Sequence, residues 1–335
     1  MARRIDVTGT GGVRLAAWEF GDPPKTDPAH DPHDRHDPRH TNDRHDPQHT
    51  NAPHDPQHHH DVRQPHDPQR TPGASTAPDG TPGVLLLHGL MGRASHWAST
   101  ARWLSGRYRA VALDQRGHGR SEKPPQGAFS RDAYVDDVEA ALEQLGLDPV
   151  VLIGHAMGAL TAWQLAAKRP DLVRGLIICD MRASALGAAS QREWDQWFRS
   201  WPLPFATLAD VRKWFGEDDP WVERPNPARG AFYAEVMAES PDGWRPVFEP
   251  EQMLRSRETW VYDAHWEELT QVRCPALVVR GLDGELGRAE AQEMVRVLPR
   301  GQYAEVADAG HLVHYDQPEA WRAAIEPFLD ALSTN

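Results

Sequence analysis

Cysteine is nearly missing from this chain: two, Cys179 and Cys274, in 335 residues. Both fall in or beside apolar runs, which excludes a disulfide framework and points to buried, reduced thiols. Long apolar stretches are missing too. None approaches the roughly 20 residues that cross a bilayer, and the opening Met-Ala-Arg-Arg-Ile-Asp-Val-Thr lacks the apolar run of a signal peptide. The expectation is a cytoplasmic chain with no membrane partner. Positive charge is also scarce: 36 Lys and Arg stand against 49 Asp and Glu, a net −13. The basic residues form no stripe, which argues against a nucleic-acid surface.

Residues 23–82 lack something else, large apolar side chains. His, Asp, Pro and Thr dominate, and His-Asp-Pro recurs from His30, His36, His45, His54 and His66 at intervals too irregular for a solenoid. Such a tract cannot bury enough surface to offset its ordering entropy, and is expected to be a disordered insertion. Eleven of the 18 histidines lie in it. Without cysteine partners or fixed ligand spacing they define no metal site, so no metal or other cofactor is expected.

What remains alternates between short strands and helices. Residues 3–8 and 13–19 read as a hairpin pair. Val84–Leu87, Tyr108–Leu113, Val150–Ile153, Leu176–Cys179, Ala276–Val279 and Tyr303–Val306 are nearly continuous apolar runs, suited to central strands covered on both faces. Helical patterns lie near 95–104, 131–146, 157–168, 288–297 and 317–332. That order predicts an α/β fold with a mostly parallel, doubly wound sheet. From 183 to 269 no strand is evident, yet eight of the 13 tryptophans fall there. A helical cap is predicted over that range, with most of these rings packed between helices and a few facing a cleft. The expected division is therefore a core over 1–22 and 83–182, the insertion 23–82, the cap 183–269, and the rest of the core over 270–335.

Three short motifs follow three of the predicted strands: His88-Gly89-Leu90-Met91-Gly92, Gly154-His-Ala-Met-Gly158 and Gly310-His311. Each is weak by itself, since a glycine turn before a helix is often close packing and a lone histidine is usually structural. In this order they are similar to the α/β-hydrolase superfamily. The resemblance extends to Asp114-Gln-Arg-Gly-His-Gly-Arg-Ser121 and to Ala307-Asp-Ala-Gly-His-Leu-Val-His-Tyr-Asp-Gln-Pro318, and covers nearly all of the chain outside the insertion. It implies the α/β-hydrolase fold with a cap, His311 as general base, and the backbone N–H groups of Leu90 and Met157 as oxyanion donors. It also implies a carboxylate that orients His311. Asp180 lies 24 residues beyond the centre of the turn, a spacing that resembles some capped members and favours it. Asp283 and Glu285 are the alternatives, although the family's Gly-x-x-Asp pattern is broken here, with Gly284 three residues after Gly281. A simpler role for Asp180 is to cap the first cap helix. His155 and His88 are expected to hydrogen-bond within their turns, and His96, His118, His265 and His314 to be surface or structural.

The residue at the centre of the Gly154–Gly158 turn is the difficulty. A G-x-S-x-G elbow presents a serine, whereas Ala156 has no nucleophilic atom, which closes the acyl-enzyme route. Some members, among them the aminoacrylate hydrolases, resemble this chain in carrying Gly-His-Ala there. Three readings follow. The His–Asp pair acts on water, or shuttles a proton in lyase-type chemistry; the alanine marks an inactive variant of a serine hydrolase; or the chain is a ligand-binding pseudoenzyme. The aromatic cap suggests a small apolar or aromatic carbonyl substrate, an ester, lactone or similar compound. Nothing in the sequence fixes the oligomeric state.

Overall fold

The computed structural model describes residues 2–21, 81–124 and 128–333; nearly all of the 23–82 insertion lies outside them. The strands are β1 (Ala2–Thr8), β2 (Arg14–Phe20), β3 (Gly83–Leu87), β4 (Arg109–Asp114), β5 (Val150–His155), β6 (Val173–Cys179), β7 (Met237–Ser240), β8 (Gly243–Pro246), β9 (Ala276–Gly281) and β10 (Gly301–Val306). Eight of them form one sheet in the order β1-β2-β4-β3-β5-β6-β9-β10. β2 is antiparallel to both neighbours and the run from β4 to β10 is parallel.

Helices cover both faces, as the continuous apolar runs require. In β3, Leu85 and Leu87 join one core cluster while Val84 and Leu86 join the other; in β5, Val150 and Leu152 divide from Val151 and Ile153 in the same way. Successive strand side chains point to opposite faces, so a strand buried twice must be apolar throughout. The first core takes α2 (Arg131–Leu145), α3 (Met157–Lys168) and α9 (Arg288–Val297), the second α1 (Ala98–Leu104) and α10 (Pro318–Ser333). Local signals set the ends of α2: the Ser130 side chain accepts the Ala133 N–H, and Gly146 closes the helix at φ 60°.

Between β6 and β9 runs a helical segment with α4 (Gly187–Ser200), α5 (Leu208–Lys213), α6 (Pro227–Ala234), α7 (Pro250–Glu258) and α8 (Trp266–Gln271). It is not free of strands, contrary to expectation. The β7–β8 hairpin and an isolated Phe205–Trp244 bridge lie inside it. Four-residue strands flanking a turn present too few alternations to register as a period in sequence. Most of its aromatic rings form a third core: Phe215 stacks on Tyr233 at 4.2 Å and meets Trp201 edge-on at 4.8 Å. No helix among the described residues is long and apolar enough to cross a membrane.

Candidate active site

β3 lies between β4 and β5: the chain steps from β3 to β4 on one side and then crosses back to β5 on the other, and the ends of the parallel strands around such a reversal are where open α/β sheets bind ligands. The three motifs lie there. After β5 the chain turns through Ala156 (φ 47°, ψ −122°) directly into α3. A side chain in that region of backbone space is strained. Glycine is required beside it, because a Cβ at Gly158 would lie 2.4 Å from the Leu87 carbonyl oxygen. Of the four non-glycine residues with positive φ among the described residues, Met91, Ala156 and Asp180 all line one cavity of about 280 Å³.

The β3 turn is held against the elbow by its histidine. Buried His88 accepts the Gln115 N–H at Nε2 (3.0 Å) and donates from Nδ1 to the Gly89 carbonyl (2.8 Å). Burial pushes it down to about 4, so it stays neutral. The Gly89–Leu90 backbone then lies against the elbow: a Cβ at Gly89 would be 3.2 Å from that of Ala156. Met157 is the first residue of α3, and its N–H is among the amides a helix start leaves unpaired. The Asp114–Ser121 segment is a lock beneath this turn. The Asp114 carboxylate takes the N–H groups of Ala94 and Arg120 and the Trp18 indole, and Arg116 makes two 2.7 Å bonds to buried Asp137.

Across the elbow, His311 Nδ1 lies 2.8 Å from Asp180 Oδ2. The Glu285 carboxylate is farther, at 3.9 Å, and Asp283 pairs instead with Arg224. Asp180 is fully buried and its oxygens accept the backbone N–H groups of Glu285 (2.9 Å) and Leu286 (3.4 Å). The broken Gly-x-x-Asp pattern has a spatial counterpart. A Cβ at Gly284 would lie 2.5 Å from Asp180 Oδ1, so the two positions compete for one space. Asp180 does not cap α4, whose N-cap is Leu186.

Burial opposes charge on His311. The nearby Glu285 carboxylate, the hydrogen bond to Asp180 and the charges of Asp180 and Asp316 outweigh it and hold the ring up at about 9. His155 Nε2 donates to the His311 carbonyl (2.8 Å), which fixes the loop. Burial, with the neighbouring His311 and His314 charges, keeps His155 well below its ordinary value. His96, His118, His265 and His314 are all buried, so the surface part of their expected placement is wrong. His314 stacks on Trp97 at 3.9 Å, an apolar contact that sequence spacing does not show.

The helical segment supplies the opposite wall with Trp194, Trp221, Phe232, Tyr233 and Trp260, together with the arginines 229 and 257. The site thus combines a carboxylate-oriented imidazole, two amide-bearing turns and an aromatic enclosure. Those parts suit the attack of an activated oxygen on a carbonyl group.

A family model described as the alpha/beta hydrolase fold matches residues 82–318. The chain belongs to that family. It is 30% identical over 266 residues to a 2-(acetamidomethylene)succinate hydrolase of Mesorhizobium japonicum, covering 75% of this chain and 88% of that one. It is 26% identical over 272 residues to an epoxide hydrolase 1 of Caenorhabditis elegans, covering 76% and 66%. A solved structure of an E-2-(acetamidomethylene)succinate hydrolase superposes with a TM-score of 0.71 at 22% identity, over 98% of this chain and 99% of the other. These relatives are named as hydrolases, and this chain is a hydrolase of the same family.

Proposed function

We propose that the chain hydrolyses a small apolar or aromatic carbonyl compound, an ester, lactone or similar molecule, without a covalent intermediate. His311, oriented by Asp180, takes a proton from water while the water oxygen bonds to the carbonyl carbon. The Leu90 and Met157 N–H groups receive the negative charge that forms on the carbonyl oxygen. Collapse of the tetrahedral species breaks the bond to the leaving group, which takes the proton back from His311. The observation that carries this reading is Ala156 itself: a methyl group held at φ 47°, where the strain has a use if the backbone around it is the working part. The names of the relatives, a succinate-derivative hydrolase and an epoxide hydrolase, favour hydrolysis over lyase chemistry.

With the ring held at about 9, the free base is the minor form at neutral pH. The rate of the unmodified chain on an activated aryl ester should therefore climb about tenfold per pH unit and level off near pH 9. The decisive experiment compares this chain with Ala156→Ser. The serine form should label with a phosphonate probe at position 156 and show burst turnover of aryl esters. The unmodified chain should remain unlabelled and retain at most roughly 10³- to 10⁴-fold catalysis over water. A correctly folded serine form inert to every probe, beside an unmodified chain with no pH-dependent turnover, would leave a ligand-binding role in its place.

A further inference from the structure

The cavity wall contains three arginines, and two of them are neutralised. Arg182 pairs with Glu290 at 2.8 Å and Arg229 with Asp219. Arg257 has no carboxylate within 4 Å among the described residues. It is only 1% exposed, and its bonds go to neutral groups: Nη1 donates to Gln191 Oε1 (2.8 Å) and Nη2 to Ser190 Oγ (2.6 Å). Its Nε–H is buried with no partner at all. The guanidinium carbon sits 4.8 Å from the Trp194 ring and 5.3 Å from that of Trp260. Trp260 lines the same cavity, and its own indole N–H is likewise buried and unpartnered.

A buried cation without a counter-charge is costly, and this chain elsewhere supplies one, as the Arg116–Asp137 pair shows. No acid in the cavity wall is spare. Asp180 is engaged by His311 and two backbone amides, Asp283 by Arg224, and Asp316 by the Gly310 N–H and Asn226. Glu285, half-exposed beside His311, acts on Arg257 only from a distance, without a salt bridge to it. Burial pushes Arg257 down only to about 10, so it carries its charge at neutral pH. The arginine is also fixed in place, because the neighbouring Ser256 hydroxyl bonds to Tyr134 of α2 (2.7 Å) and reaches the Met157 sulfur (3.6 Å).

We infer that Arg257, flanked by the Trp194 and Trp260 rings, is the recognition site for a carboxylate on the substrate. The substrate class is then a small carbonyl compound that also bears a carboxylate, its charge held by the helical wall and its carbonyl at the elbow. The word substrate rests on the hydrolase reading; the anion site itself does not. A guanidinium whose Nε–H and remaining Nη hydrogens are uncommitted can donate two hydrogen bonds to one carboxylate, and the flanking indoles enclose the apolar part of the ligand.

The test is binding, measured by calorimetry and by tryptophan fluorescence on the full chain, of phenylacetate against its neutral isostere phenylacetamide. The unmodified protein should bind the carboxylate at least tenfold more tightly. Arg257→Met should erase that preference, and Arg257→Lys should keep part of it. No phenylacetate binding up to millimolar concentration, equal binding of the amide, or a preference that survives in folded Arg257→Met overturns the proposal. Because the comparison within the unmodified chain needs neither a variant nor turnover, it separates from the hydrolase reading. If the carboxylate preference holds while Ala156→Ser stays inert, the anion site stands and the hydrolase reading falls. If Ala156→Ser turns over neutral aryl esters while phenylacetate is not preferred, the reverse holds.

Discussion

The two walls of the cavity are built on different principles. The sheet wall places polar atoms by backbone: the Leu90 and Met157 amides, the elbow at Ala156, and Asp180 held by two amides from the loop after β9. The helical wall places side chains by packing, through a core of Phe215, Tyr233, Trp197, Trp201 and their neighbours. On the proposed reading the first arrangement carries chemistry that most carbonyl substrates would share. The second, on the same reading, selects the substrate, since its own shape and charge depend on which rings and which cation face inward.

The sheet wall breaks most sharply at Asp180. In the Ala156→Ser background, Asp180→Asn should lower aryl-ester turnover by roughly 10³- to 10⁴-fold, because the amide neither orients the imidazole tautomer nor stabilises its charged form. Asp283→Asn, whose carboxylate pairs with an exposed arginine, should change it by less than about threefold. Equal losses from both variants would remove the assignment of Asp180. The helical wall breaks through its packing instead. Phe215→Ala deletes a fully buried ring, and should cost about 3–5 kcal/mol in denaturant unfolding, a large share of a typical total stability. A loss below about 1 kcal/mol would show that the segment does not hold its rings as a core.

How much of each wall is visible in the sequence follows from the same difference. Strand runs, glycine turns and the offset between Ala156 and Asp180 are local or fixed-interval patterns, so a mostly parallel sheet and the meeting of Asp180 with His311 could be anticipated, while the strand order could not. Arg257 could not. In the stretch Leu254-Arg-Ser-Arg-Glu258 it reads as one more charge on a solvated helix face, and only the packing of α4 against α7 shows that no carboxylate reaches it. The burial of His96 and His314 was hidden for the same reason, since it depends on partners far away in sequence, Phe232 against His96 and Trp97 against His314; the β7–β8 hairpin is local, but its four-residue strands are too short to show a period.

Glu285 lies beside His311 at the sheet wall, and a smaller effect is expected there. Its carboxylate, 55% exposed and 3.9 Å from His311 Nδ1, is the foremost of the influences that raise that ring against burial. Glu285→Gln should lower the His311 pKa, as followed by its imidazole proton resonances, and move the rise in hydrolysis to lower pH. A linked stability effect has a defined sign. His311 is held above its ordinary value of about 6.5, so its protonation stabilises the fold fully below pH 6.5, and this contribution is lost as pH rises through about 9. Glu285→Gln should narrow that window, and an unchanged His311 titration would assign the raised value to Asp180 and Asp316 alone.

The smallest effect is expected from the largest change, removal of residues 23–82. Phe20 at the end of β2 pairs with Ala110, and Gly83 at the start of β3 pairs with Arg109, so both ends of the insertion sit at one end of β4. Two inter-strand spacings, about 10 Å, separate them, a gap that a short Gly/Ser linker spans. Closing a loop costs about 0.6 kcal/mol for each doubling of its length. Shortening some 60 residues to about six should therefore leave stability unchanged or raise it by up to about 2 kcal/mol, since the tract has almost no apolar surface to contribute. Cavity-based readouts, the phenylacetate preference and the labelling of Ala156→Ser, should not change. Denaturant unfolding of the shortened chain checks this directly: a loss of more than about 2 kcal/mol would mean that the tract makes stabilising contacts, and that the molecule has a third region to set beside the two walls.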